Sequence, residues 1–444
     1  MASSTLSSLS PADVHKTLQR HIFADGYDIV LDLERSQGSY LHDAKSGRRL
    51  LDFMTFFGSN PLGFNHPKMK DPEFQRVLLR VAQLKPSLSD LYPLEYAQFV
   101  ETFARHCKPS YLTHAFFIEG GTLAVENTLK VAFDWKVRRN RAKGIPGERG
   151  QQVIHFKDAF HGRSGYALSL TNTDPAKTDL FPKFRWPRID SPKLRFPATS
   201  EAERDVIAAE QIAVEQIEKA FVDNPDDIAA IIIEPIQAEG GDNHFRREFL
   251  QALRRICDAH ECFFILDEVQ TGIGITGKMW GHEHFGIQPD ALAFGKKTQC
   301  CGCLVGPKVD SEPENVFKVP SRINSTWGGN LTDMVRFGRF LEIIEEDRLI
   351  ENARWVGAEL LAGLEVIEKE GSGAMSNARG RGLMIAFDLE TPELRKKMLE
   401  TLRQDGLLAL ACGKRSVRFR PALCLSRSEA ASGLDIVRRS LRSL

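Results

Sequence analysis

Two residues carry the sharpest chemistry in this chain. The apolar run Cys262-Phe-Phe-Ile-Leu266 ends in Asp267-Glu268, and Ala291-Leu-Ala-Phe294 runs into Gly295-Lys296-Lys297. A lysine delivered at a strand end can form a Schiff base with an aldehyde cofactor. An aspartate on a nearby strand end can keep a pyridine nitrogen protonated, which turns pyridoxal 5'-phosphate (PLP) into an electron sink. Gly120-Gly121-Thr122 opens a helical segment, and its backbone N–H groups and hydroxyl suit a phosphate. Phe160 can stack on a ring. Arg163 and Arg418 can hold carboxylates in bidentate pairs, a task for which arginine suits better than lysine. Taken singly, such residues are ordinary solvated strand ends and turns. Their ordered combination is what points to one site, and spacing alone leaves Lys297 as a rival to Lys296.

These residues require a parallel sheet to position them. Ile228-Ala-Ala-Ile-Ile-Ile233 and Gln152-Val-Ile-His-Phe156 are two further apolar runs, leading into Glu234-Pro235 and Ala159-Phe-His-Gly-Arg163. Continuous apolar runs of this length read as strands covered on both faces. Open α/β sheets bind ligands outside the carboxyl ends of their strands, so four such ends predict one shared crevice. Helices are expected over 122–139, 201–221, 332–346 and 352–370, with a short strand at 383–389. The reading is an α/β fold with a mainly parallel sheet in a large domain, 66–330. A smaller α+β domain is drawn from both termini, 1–65 and 331–444.

Composition narrows the classes. The chain has 444 residues, with 59 Lys+Arg against 59 Asp+Glu and formal charge zero. A nucleic-acid partner is not expected from that balance; the dense basic run Arg138-Arg-Asn-Arg-Ala-Lys143 reads as a solvated helix end. No apolar stretch reaches the ~20 residues of a membrane span, so no membrane partner is expected. The Ser/Thr-rich segment 1–11 has neither the basic region nor the apolar core of a leader, and the expected location is cytoplasmic. The cluster Cys300, Cys301 and Cys303 lacks a second spaced pair, so no metal site is expected. Gly272-Ile-Gly-Ile-Thr-Gly277 fits G-x-G-x-x-G, which would suit a nicotinamide-dependent dehydrogenase. Five residues separate it from its strand, and that fingerprint needs its glycines at a strand-to-helix turn.

The longer strings resemble the class III (ω-amino acid) aminotransferases, which are fold-type I PLP enzymes. Phe264-Ile-Leu-Asp-Glu-Val-Gln-Thr-Gly272 with Pro289-Asp-Ala-Leu-Ala-Phe-Gly-Lys296 is similar to the family signature. Glu119-Gly-Gly-Thr-Leu-Ala-Val-Glu-Asn127, Ala159-Phe-His-Gly-Arg-Ser-Gly-Tyr166 and Glu234-Pro-Ile-Gln-Ala-Glu-Gly-Gly241 resemble one branch in particular. So does Ser321-Arg-Ile-Asn-Ser-Thr-Trp-Gly-Gly-Asn-Leu-Thr-Asp333. That branch passes the ε-amino group of L-lysine to 2-oxoglutarate, giving 2-aminoadipate 6-semialdehyde and glutamate.

The resemblance implies a role for each matching residue. Lys296 carries PLP and shuttles a proton, and Asp267 pairs with the pyridine nitrogen. Gly121 and Thr122 bind the phosphate, Phe160 stacks on the ring, and Gln270 lies near the phenolic oxygen. Thr326 reaches the phosphate of a neighbouring subunit, which makes the enzyme a homodimer with shared active sites. Arg163 and Arg418 bind substrate carboxylates, with Asn324 assisting. Glu239 matches a switch glutamate that neutralises Arg418 for lysine and withdraws for 2-oxoglutarate. Thr122 departs mildly from relatives with Ala or Ser there. Another ω-amino donor, such as ornithine or 4-aminobutyrate, is the alternative within the same fold.

Overall fold

The structure is a computed structural model that describes residues 9–371 and 373–444. The first eight residues of the Ser/Thr-rich segment therefore lie outside the described residues. Near the N-terminus, β1 (Tyr40–His42) and β2 (Arg49–Asp52) pair antiparallel. The central sheet is built from β3 (His114–Ile118), β4 (Gln152–Phe156), β5 (Arg188–Ile189) and β6 (Ile228–Ile233). A two-stranded hairpin follows, β7 (Ile236–Gln237) and β8 (Asn243–His244). Then β9 (Phe263–Asp267), β10 (Ala291–Phe294) and β11 (Cys301–Val305) complete the seven-stranded sheet. Its order is β3-β11-β10-β9-β6-β4-β5. The pairs from β10 through β9, β6 and β4 to β5 are parallel, while β11 runs antiparallel to both neighbours.

Each inner strand is apolar because both faces are covered. All six residues of β6 and all five of β9 are buried. The helix Gly121–Ala142 lies across β6, β10 and β11, burying Ala124, Val125, Leu129, Val131, Ala132 and Trp135. It begins directly after β3, and Gly120 takes φ +91 at the junction, a left-handed conformation that a side chain would strain. The helix N-terminus thereby lands at the same edge of the sheet as the carboxyl ends of β4, β6, β9 and β10. At the other end the run 138–143 is paired with carboxylates: Arg138 with Asp134, and Arg139 and Lys143 with Glu261.

The helix Ser200–Asp223 between β5 and β6, and the helices Leu331–Glu346 and Leu349–Glu370 after β11, each lie within a few residues of the expected spans. A four-stranded antiparallel sheet follows from β12 (Met375–Arg381), β13 (Met384–Leu389), β15 (Leu410–Cys412) and β16 (Ser416–Phe419), in the order β12-β13-β16-β15. The intervening β14 (Leu407–Leu408) pairs parallel with β2, so early and late parts of the chain share one sheet. Among the described residues, no helix is long and apolar enough to cross a membrane.

Candidate active site

A cavity of about 690 Å³ opens at the carboxyl ends of the parallel strands. Gly121, Thr122, Phe160, Arg163, Glu239, Asp267, Gln270, Lys296 and Arg418 all line it. Asn324 does not: it lines a second cavity with Ser89, Tyr92 and Phe117. Thr326 belongs to that same remote segment, where the hydroxyl of Ser89 donates to the Ser325 carbonyl at 3.0 Å. One chain alone brings neither residue to Lys296.

The sheet register places Asp267 at the end of β9 and Lys296 just after the end of the adjacent β10, with Ala293 of β10 opposite Asp267. Asp267 is buried, and its Oδ1 accepts the Val269 N–H at 3.0 Å. Its Oδ2 lies 2.8 Å from His161 Nδ1. Burial pulls the Lys296 amine below the ordinary lysine value, while the Asp267 charge raises it and Arg418 lowers it further. The neighbouring lysine diverges because the chain turns here, Lys296 itself taking φ +55. Lys297 is buried away from the cavity and donates to the Gln270 carbonyl at 2.8 Å. Its rivalry for the cavity ends there.

The rest of the floor is a web of backbone contacts. Thr122 Oγ1 accepts the Arg163 N–H at 3.1 Å, joining the helix start to the loop after β4. Gly162 sits at φ +135, and a Cβ there would lie 2.0 Å from Thr122 Oγ1. Thr171 Oγ1 accepts the N–H of His161 at 2.9 Å. Glu234, at the end of β6, accepts the N–H of Phe160 at 3.1 Å and of Ala238 at 3.0 Å, so one buried carboxylate holds both the ring-stacking candidate and the loop carrying Glu239. Burial pushes the Glu234 carboxyl up to about 7, with His161 opposing and the Asp267 charge adding to the shift.

Glu239 lies in the loop between β7 and β8, and Arg418 comes from β16 of the other sheet. Arg418 Nη2 donates to Glu239 Oε2 at 2.8 Å, and Lys177 Nζ donates to Glu239 Oε1. Burial raises the Glu239 carboxyl, yet Arg418 and Lys177 outweigh it and hold the group below the ordinary value. Among the described residues Arg418 Nε and Nη1 have no partner, although only 2% of the residue is exposed. Arg418 is therefore a buried strand residue and not a solvent-facing one. The opposite wall is a left-handed turn, Thr55 to Gly58, with φ of 42, 53, 61 and 77. It presents Phe56 and Phe57 to the cavity, and Asp52 Oδ1 secures it by accepting the N–H groups of Met54 and Thr55 at 2.8 and 2.9 Å.

The cavity fits PLP by its own chemistry. A buried carboxylate faces it from β9, a desolvated amine from the next strand, and an uncapped helix N-terminus from Gly121. Sequence reasoning gives no role to His161 or Lys177, and places Glu234 at the crevice only as a strand end. His161 stands between the candidates Phe160 and Arg163, and Glu234 directly follows the buried strand β6. Lys177 gave no sequence signal, lying 62 residues from the glutamate it meets. The glycines 272, 274 and 277 lie in turns with no helix opening on them, so the nucleotide fingerprint has no structural counterpart.

The fold and this cavity define an α/β transferase of the PLP fold-type I architecture. Residues 22–441 match the family model described as aminotransferase class-III. The chain is 51% identical over 433 residues to the L-lysine-epsilon aminotransferase of Mycobacterium tuberculosis, covering 97% of this chain and 96% of that protein. It is 47% identical over 443 residues to the enzyme of that name from Streptomyces clavuligerus, covering 99% and 96%. Among solved structures, a lysine aminotransferase from M. tuberculosis superposes with a TM-score of 0.96 at 50% identity, covering 98% of this chain and 100% of that one. The chain belongs to the class III aminotransferases, and its cofactor is PLP.

Proposed function

We propose that this aminotransferase transfers the ε-amino group of L-lysine to 2-oxoglutarate, yielding 2-aminoadipate 6-semialdehyde and glutamate. The observation that carries the reading is Glu239 clasped to Arg418 inside the Lys296 cavity. The carbon bearing the ε-amine of lysine has no carboxylate, whereas the reacting carbon of 2-oxoglutarate has one. A bare Arg418 would leave a buried cation unpaired against lysine, which is costly. Glu239 neutralises it in that half-reaction and yields it to the carboxylate in the other. The names of the lysine aminotransferases above support the same substrate.

Bound PLP supplies an electron sink for charge developing on the substrate carbon. Asp267, oriented by His161, is placed to pair with its pyridine nitrogen, and Gln270 to approach its phenolic oxygen. The Gly121–Thr122 helix start would hold its phosphate, and Phe160 its ring face. The Lys296 amine, weakened as a cation by burial, moves a proton on and off the substrate carbon. Arg163, exposed at the mouth, binds the distal carboxylate, while the Phe56–Phe57 turn narrows the entrance and excludes water.

The reading extends to a homodimer in which Asn324 and Thr326 of each chain complete the other chain's site, since neither reaches its own. It also includes the division into 66–330 and a smaller unit from 1–65 and 331–444, and a cytoplasmic location, in keeping with eight free cysteines. The visible spectrum of the purified protein tests the substrates. The cofactor band should shift with L-lysine and return with 2-oxoglutarate. A band that ignores lysine and answers to ornithine or 4-aminobutyrate would move the substrate within the family.

A further inference from the structure

Lys177 stands on the one-turn helix Pro175–Thr178, which Asp174 caps by accepting the Ala176 N–H at 3.0 Å. Its ammonium is aimed inward: it lies 5.8 Å from the centroid of the Phe160 ring and binds Glu239 Oε1. The second Glu239 oxygen belongs to Arg418. One carboxylate is therefore shared between two cations carried by separate elements, each using a different oxygen. Arg418 lines the cavity, and its Nε and Nη1 have no hydrogen-bond partner among the described residues, so an incoming carboxylate can replace Glu239 on Nη2 as Glu239 retreats.

We propose that Lys177 is a specificity-determining positioning residue, which retains Glu239 when Glu239 releases Arg418 and so sets how readily a dicarboxylate takes Arg418. The proposal rests on the switch role of Glu239 given above. The physical reason is desolvation. The Glu239 side chain is 25% exposed and that of Lys177 18%, so a carboxylate leaving its only cation here would be stranded largely without water. With Lys177 in place one ion pair persists through the switch and only the Arg418 contact changes hands. Without Lys177, Glu239 has a single partner, clings to Arg418 and competes harder with the substrate. Lysine, which leaves Arg418 to Glu239, is much less sensitive.

The test measures binding of glutarate, a dicarboxylate without the reactive oxo group, to the PLP-loaded enzyme by calorimetry. Lys177→Met should raise its Kd about tenfold, the size of one charge-assisted contact, and Lys177→Arg should restore most of it. Glu239→Ala should lower the Kd by freeing Arg418. Adding Lys177→Met to Glu239→Ala should then cost nothing more, because Lys177 acts through Glu239. In steady state, KM for 2-oxoglutarate should rise in Lys177→Met well beyond KM for lysine. The proposal is overturned if Lys177→Met leaves the glutarate Kd unmoved. It is overturned equally if the tenfold loss persists in the Glu239→Ala background, which would make Lys177 a direct substrate contact. A Glu239→Ala enzyme that fails to tighten glutarate would instead remove the switch itself, an outcome read independently of Lys177.

Discussion

His161 Nδ1 lies 2.8 Å from Asp267 Oδ2, and both side chains are buried beneath the Lys296 cavity. The imidazole comes from the loop after β4 and the carboxylate from the end of β9, so one hydrogen bond ties together two of the strand ends that build the site. A carboxylate held in this way keeps its charge aimed at one point without reorganising during the reaction. His161→Ala should therefore lower kcat about 10- to 100-fold, the usual loss when the orienting partner of a charged group is removed. Asp267→Asn should cost more, at least about 10²-fold. Single-turnover kinetics with L-lysine would show both, and a His161→Ala enzyme as fast as the wild type would refute the orienting role.

Gly162 and Thr122 offer a steric test of the phosphate site. A methyl group on Gly162 would collide with Thr122 Oγ1, and the backbone there is at φ +135 as well. Gly162→Ala must push the helix start and the loop apart. The Kd for PLP should rise at least about tenfold, a change of about 1.4 kcal/mol, measured by fluorescence titration of the apoenzyme. Unchanged affinity would mean that the helix start does not hold the phosphate.

Glu234 makes stability depend on pH. Its carboxyl has an ordinary value of 4.5 and is pushed up to about 7 by burial, with His161 opposing and Asp267 adding to the shift. Between those values the folded chain holds a proton that the unfolded chain has lost. Its contribution is therefore fully present below pH 4.5 and disappears as pH rises through 7, at about 1 kcal/mol per unit. Glu234→Gln, which stays neutral, should remove that slope. Urea unfolding at pH 5, 6 and 7 should show the wild type losing stability relative to the variant. Parallel pH curves would exclude Glu234 as the titrating group.

The adjacent lysines should separate cleanly. Lys296→Ala should abolish covalent attachment of the cofactor and reduce turnover by about 10³-fold or more. Lys297→Met, which removes the hydrogen bond to the Gln270 carbonyl, should lower thermal stability yet keep attachment. Mass spectrometry after borohydride reduction reads this directly. Attachment surviving in Lys296→Ala would transfer the role to Lys297.

Much of the architecture was legible because its signals are local. A strand buried on both faces must be apolar throughout, so Ile228–Ile233 and Phe263–Asp267 stand out, and the polar residues after such strands mark the crevice. The long helices show themselves in the same way, through periodicity that their packing requires. Nothing comparable announces Lys177, whose partner is remote in sequence and which sits in a short polar turn.

The amino-acid sequence by itself determined the parallel sheet, the strand ends carrying Asp267, Glu234 and Lys296, and the family to which the chain belongs. These follow from the apolarity that burial demands and from residue types that one chemistry requires. Tertiary structure decided the remainder. It set Lys296 at the cavity and Lys297 away from it through a left-handed turn, buried Arg418, and drew Glu239 between Arg418 and Lys177. It also set Asn324 in a second cavity, away from the lysine of its own chain. Each of these depends on which way a side chain points once distant segments meet, and the energy of burying or pairing a charge exists only after they have met.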